Sequence, residues 1–317
     1  MARQPIDWDK SFKDKAPESS QTPEYNSKFA KSLRDLIGDK LYKPKKANSG
    51  DTVKIIRFLP AALNENTFRA FVAYHELQDP QDPKKFNNVL CYNYSNNLKN
   101  SEHCEVCKKY FKALKSNDTY TLSGMKLTFK RVYNILVVND PEEPTNNGKN
   151  FLYEASKFLD DKIFSYGKPS DPTEDSEDVM DYKTGRNVKL VLRLSSFPNK
   201  KTGKPIPKLE DNMSEFKDKS PIGLGKVPFT DKELDELDQK IYSLETIFSK
   251  ENFPTKEQQI TSLKYVFGEE DVEQPSSSKS YVESIKIAPP KNKEVDVSSV
   301  PEFPDDEYDF SSFGDPN

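Results

Sequence analysis

Between residues 186 and 194 apolar and polar positions alternate. Val188, Leu190, Leu192 and Leu194 fall on one face, with Lys189, Val191 and Arg193 on the other, the period of a strand with one buried side. Residues 53–60 and 68–74 are rich in β-branched and aromatic side chains and predict two more strands, and residues 89–92 a fourth. Residues 127–138 form a long β-rich run, stopped by Asp140-Pro141 and by the turn residues 144–148. A helical period spaces Phe29, Ala30, Leu33, Leu36 and Ile37 within residues 25–39, with Lys28, Lys31 and Arg34 flanking and Gly38 as the stop. Residues 106–114 predict a short helix, and residues 151–163 a strand passing into a helix. Residues 230–248 predict a helix with a Thr230/Glu233 capping box, and residues 258–267 a further helical piece. Many short strands, few helices and a late helical hairpin predict a mainly β chain, a small barrel with α additions.

Charge divides the 317 residues unevenly. The formal total is -4, but residues 269–317 carry 13 acids against 4 bases, which leaves residues 1–268 basic. From Glu294 onward there are eight acids and no base, interleaved with Phe303, Tyr308, Phe310 and Phe313. Such a segment buries too little apolar surface to offset its chain entropy, so it predicts a disordered acidic interaction tail. Residues 1–24 are polar, and residues 40–51 read as a basic linker. The expected organisation is a flexible basic module at 1–50, a core at 51–268 and a tail at 269–317. No apolar run reaches membrane-span length and the start does not resemble a signal peptide, so a secreted or membrane protein is disfavoured. Two histidines leave little room for proton-shuttle chemistry.

Cysteine spacing adds chemistry. Cys104 and Cys107 form a C-x-x-C turn, with Cys91 and His75 upstream, a CCCH set suited to one closed, structural Zn²⁺ site within a subdomain at about 75–115. His103 is the rival fourth ligand; its position next to Cys104 favours His75. An isolated redox pair would need a βαβ context that the pattern lacks.

Two basic stretches carry interleaved aromatics. Residues 99–134 include Lys109, Lys112, Lys115, Lys126, Lys130 and Arg131 among Tyr110, Phe111, Tyr120, Phe129 and Tyr133. Residues 185–208 include Arg186, Lys189 and Arg193, with Phe197 at the strand end, and no acid. Cations meet phosphates and flat rings stack on unpaired bases, so the combination points to single-stranded nucleic acid. Each ring has a competing place in a core, Phe111, Phe129 and Tyr133 foremost. No P-loop, G-x-S-x-G or H-E-x-x-H motif occurs. Two classes stay open: a non-catalytic module that coats single strands, and a zinc-containing nucleic-acid-processing enzyme or its accessory subunit.

Ile56-Arg57-Phe58-Leu59-Pro60, the His75/Cys91/Cys104-x-x-Cys107 order and Asn134-Ile135-Leu136-Val137-Val138 together resemble the gene 32 type, helix-destabilising single-stranded DNA-binding proteins of T-even-like phages. The resemblance covers residues 50–210 well and the remainder by layout. It implies an OB-fold core with an inserted structural zinc subdomain and a cleft for single-stranded DNA lined by Arg57, Tyr153 and Phe197. The basic cluster Lys126, Lys130 and Arg131 would stand beside that cleft. It further implies self-association through an N-terminal basic module, with Lys28, Lys31 and Arg34 in that role, and contact with replication and recombination proteins through the acidic tail. The setting it implies is the cytoplasm of the infected bacterial host.

Overall fold

The computed structural model describes residues 32–45, 51–95, 103–198 and 205–268. The expectations placed on Lys28, Lys31 and the acidic segment 269–317 lie outside these residues, as do the side chains of Arg34 and Phe197.

Along the chain run α1 (Leu33–Ile37), β1 (Thr52–Phe58), β2 (Arg69–Gln78), β3 (Phe86–Cys91), α2 (Tyr92–Ser95), α3 (Glu105–Ser116), α4 (Thr119–Ser123) and β4 (Met125–Asn139). There follow β5 (Asn150–Ala155), α5 (Lys157–Gly167), β6 (Arg186–Pro198), β7 (Pro205–Glu210), β8 (Glu215–Lys219), the small hairpin β9 (Gly223–Leu224) and β10 (Val227–Pro228), then α6 (Asp231–Asp238), α7 (Leu244–Ile247) and α8 (Lys256–Phe267). Eight strands make one sheet in the order β3-β2-β4-β1-β6-β7, with β5 paired to β4 and β8 to β6. Among the described residues every pairing between these strands is antiparallel. The architecture is mainly β with α additions.

β4 explains why its sequence reads as one apolar run instead of an alternation. Tyr133, Ile135 and Val137 point into a core shared with Ile56 and Phe58 of β1, Tyr153 of β5, Leu159 and Ile163 of α5, and Val188, Leu190 and Leu192 of β6. Val132 points the other way, onto Val72 and helices α1 and α7, while Leu136 and Val138 meet Leu59, Ile222 and α6. A strand covered on both faces has no polar side to show.

The reading of residues 40–51 as a basic linker needs correction at Leu41 and Tyr42. Leu41 bridges Leu152 in parallel, and Tyr42 N donates to Leu152 O at 2.8 Å, so the segment lies along the edge of β5. The Tyr42 hydroxyl donates to Asp140 Oδ2 at 2.7 Å. Asp140 also accepts from the fully buried Lys54, whose ammonium is shared with Glu142. Burial works to raise the Asp140 carboxyl, but hydrogen bonds from Lys54, Tyr42 and Asn146 outweigh it and hold the group below its usual range.

The expected helix over 230–248 is two helices. Thr230 and Glu233 do form the capping box of α6. The buried Asn134 then captures the Tyr242 peptide: its Oδ1 accepts from Tyr242 N at 3.0 Å and its Nδ2 donates to Tyr242 O at 2.9 Å. Those backbone groups are lost to a helical ladder, and Ser243 starts α7 afresh by accepting from Thr246 N. The late helices do not form a hairpin either: α6 packs on Leu136, and α8 packs beside β3 and α3.

Asp140→Ala leaves the Lys54 ammonium buried with one partner fewer and should cost about 3–5 kcal/mol of stability at neutral pH. A carboxyl depressed in the fold contributes fully above its unfolded value of about 4 and loses that contribution as pH falls through the folded value. Urea midpoints of wild type and variant should therefore converge in acid; a constant gap from pH 7 to pH 3 would contradict the assignment.

Candidate metal centre and nucleic-acid interface

His75 stands in the middle of β2, opposite Val89 of β3 and Leu127 of β4, and the pleat sends its ring to the same face as Ala73 and Leu77. Cys91 ends β3 opposite Ala73. Cys104 caps α3, its Sγ accepting from Cys107 N at 3.4 Å, and the C-x-x-C spacing returns Cys107 to the same point one turn later. The four buried ligand atoms all lie within 4.8 Å of one another. Cys91 Sγ is 3.8 Å from Cys104 Sγ and 3.5 Å from Cys107 Sγ; His75 Nε2 is 3.5 Å and 3.3 Å from Cys104 and Cys107. Tetrahedral Zn²⁺ with Zn–S of about 2.3 Å and Zn–N of about 2.0 Å requires S···S near about 3.8 Å and S···N near about 3.5 Å. The donor set and its spacing fit one such ion.

Electrostatics agree. Hydrogen bonding from Cys107, then from Cys91 and His75, draws the Cys104 thiol far below its ordinary value. Cys91 and Cys107 are pushed up, chiefly by hydrogen bonding to Cys104. Closely packed thiols that cannot all ionise are a site short of positive charge. His103 is exposed, edge-on to Tyr92 at 5.9 Å, and takes no part in the cluster.

The surroundings reach beyond the expected 75–115 segment. Met125 of β4 and Leu263 and Val266 of α8 complete the core around the cysteines. Gln259 of α8 is the polar tie: its Oε1 accepts from Glu105 N at 2.8 Å, at the open N-terminus of α3. Its Nε2 donates to Pro254 O at 2.9 Å and His103 O at 3.4 Å.

The face of β2 and β4 that carries His75 continues away from the cluster. Ala73 pairs with Phe129, Phe71 with Arg131, and Arg69 with Tyr133, which already belongs to the core shared with β1, β5 and β6. Between the two cores the rings of Phe71 and Phe129 stack, 5.2 Å apart and 22° from parallel. Tyr94 meets Phe129 edge-on at 6.2 Å, and the Arg131 guanidinium lies 5.4 Å from the Phe71 centroid. Phe129 leans on the metal-side core; Phe71, half-buried, joins none of the four core clusters.

A family model described as "gp32 DNA binding protein like" matches residues 50–267. The chain belongs to that family. It is 28% identical over 239 residues to the single-stranded DNA-binding protein of Enterobacteria phage T2, covering 72% of this chain and 70% of that protein. It is 32% identical over 127 residues to the single-stranded DNA-binding protein of Enterobacteria phage T4, covering 38% of this chain and 39% of that protein.

Within this gp32-like domain several expected contact residues turn out to be interior. Arg57 has no exposed surface; its Nη2 donates to Asp181 O at 2.6 Å and Ser220 O at 3.1 Å, and burial lowers its pKa to about 10. Tyr153 is buried with its hydroxyl on Asp211 at 2.9 Å, and Tyr133 is buried with its hydroxyl on Asp160. The structure places these three in the core, where a buried ring or guanidinium offers no face to a base. The basic group Lys126, Lys130 and Arg131 is not one cluster. Strand alternation turns Lys126 and Lys130 to the face opposite Arg131, and Lys130 is paired with Glu154 at 3.2 Å.

Other expected cations already have partners. Arg193 is bidentate to Asp51 (2.9 and 2.7 Å), and Arg186 is bonded to Glu177 and Lys217 O. Lys189 lies half-buried in β6. On α3, Lys109 lies over the Phe267 ring at 5.2 Å, Tyr110 packs against the metal-side core, and Lys112 and Lys115 are exposed. Tyr120 donates to Asp79 at 2.7 Å. Phe71 was absent from the expected site, although its place in the strand pattern at 68–74, opposite a strand rich in Lys and Arg, was the signal available.

Gln259→Ala should cost about 1–3 kcal/mol, the price of leaving buried amide partners unmet. Amide exchange at Glu105 and along α8 should quicken beyond what the global loss explains; unchanged exchange there would show that α8 does not hold α3.

Proposed function

We propose that the chain is a non-catalytic protein that coats single-stranded DNA during phage replication, recombination and repair in the infected host cell. The observation that carries this reading is the half-buried Phe71–Phe129 stack with Arg131 beside it, on a sheet face between two cores, in a chain of the gp32-like family. Rings of this kind stack on bases of any identity, whereas paired bases present no face to them. Among the described residues no helix is long and apolar enough to cross a membrane.

The finer organisation belongs to the same proposal. An OB-type barrel is supported by the run β1, β4, β5, then α5 over the core, then β6 back against β1. One Zn²⁺ held by His75, Cys91, Cys104 and Cys107 has a structural role, since four protein ligands leave no position for substrate. Residues 1–50, with Lys28, Lys31 and Arg34, would carry self-association along the strand. Residues 269–317 would carry contacts to replication and recombination proteins.

Binding-density titration on poly(dT) against duplex of matched length tests the reading; equal affinities would overturn it. Phe71→Ala should weaken poly(dT) binding about 5- to 150-fold, the worth of one stacked base, with the salt slope unchanged. Metal analysis of protein purified without added zinc should give one Zn²⁺ per chain. Chelation should expose α3 and α8 to protease, because three thiols and an imidazole without their cation no longer hold these elements together. A folded, protease-resistant, zinc-free protein would refute the metal assignment.

A further inference from the structure

Asp160 lies in the first turn of α5 and is almost wholly buried. Its carboxylate gathers three residues from the sheet face that carries Phe71 and Phe129. Arg69 Nη1 donates to Oδ1 and Oδ2 at 2.9 and 2.8 Å, Arg131 Nε donates to Oδ2 at 3.2 Å, and the Tyr133 hydroxyl donates to Oδ1. Burial, reinforced by the neighbouring Asp160 charge, raises the Tyr133 hydroxyl far above its ordinary value, so it stays a donor.

The charges in this group do not balance. One carboxylate faces two guanidinium groups, and a second buried cation is a cost that a purely structural pair would avoid. Arg69 is the structural partner: its Nη1 reaches both carboxylate oxygens and it is covered by Phe164, whose centroid lies 4.4 Å from the guanidinium carbon. Arg131 is held differently. It gives Asp160 only Nε; the side chain is mostly covered but one tenth of it reaches solvent, and its Nη groups have no hydrogen-bond partner among the described residues. The same guanidinium sits beside Phe71, the ring that no core claims.

We propose that Asp160 is a positioning residue of the single-stranded DNA interface. It draws Arg131 back by Nε so that the Nη edge stands beside the Phe71–Phe129 platform and meets the backbone phosphate of the nucleotide stacked there. The inference rests on the reading of that platform as the binding surface. It makes an acidic residue favour the binding of an anion, by fixing the geometry of a donor pair that would otherwise spread over many rotamers.

The test is one of sign. An acid near a DNA surface that only repels phosphate would, as Asp160→Asn, bind oligo(dT) more tightly. Positioning predicts the reverse: about tenfold weaker binding, with the slope of log K against log salt reduced by about 0.7, one single-strand phosphate. Arg131→Gln should give the same loss. In the Arg131→Gln background Asp160→Asn should lower affinity no further, while still lowering the melting temperature through Arg69. Tighter binding by Asp160→Asn, or an additive loss in the double variant, overturns the proposal. Should Asp160→Asn fail to fold, Arg131→Lys decides. Lysine keeps the charge but cannot donate to Asp160 and phosphate from one rigid fork, so wild-type affinity there refutes the positioning role. Failure of wild type to prefer oligo(dT) over duplex would instead sink the binding reading itself. An intact preference, lowered by Phe71→Ala, with Asp160→Asn unchanged, sinks only this inference.

Discussion

β2 and β4 pair through nine consecutive register partners, from Arg69 opposite Tyr133 to Leu77 opposite Met125. That ladder is the constraint on which the rest depends. Because side chains alternate strictly along both strands, one face must carry His75 at one end and Tyr133 at the other. The metal-side core therefore forms at a fixed distance from the core under β1, β5 and β6, about 20 Å along the strand by the rise per residue from Arg69 to His75. The stretch between belongs fully to neither. A slip of β2 by one residue would take His75 and Phe71 to the opposite face and part Arg69 from Asp160 at once.

Buried polar groups fix the parts that hydrophobic packing leaves free. Arg57 is held by carbonyl oxygens of the loop 181–185 and of Ser220, and Gly185 is required there, since a Cβ would stand 2.4 Å from Asp181 O and 2.6 Å from the Arg57 guanidinium. Lys54 and Asp140 do the same for Tyr42 and the segment that precedes β1. Replacement of such groups by apolar residues is often neutral for stability, but removal of one partner is not, so they discriminate among arrangements more than they strengthen one.

Much of this was legible in the sequence, and what was not has identifiable causes. The alternation at 188–192 appears as the inward face of β6, the capping box at Thr230 is formed, and the CCCH spacing closes into one buried cluster. Local rules sufficed there because each feature spans a few residues. Linear proximity failed at Lys130 and Arg131, which a strand turns to opposite faces. It failed again at Tyr133, and the place that the resemblance implied for Arg57 is likewise interior, because burial is decided by partners about 30 to 160 residues away. The break in the 230–248 helix depends on Asn134, about a hundred residues upstream; no window along the chain contains both.

The tie between Gln259 and the start of α3 has a consequence for time. The four ligands are all synthesised by residue 107, but α8, which closes over them, ends at Phe267, about 160 residues later. At about 5–20 residues per second the thiols of a nascent chain wait roughly 8–30 s for their cover. During that interval Cys91, Cys104 and Cys107 lack the apolar wall of Leu263 and Val266. Until α8 is made, capture of a cation and its rival, oxidation, are both open to thiols that lack this cover.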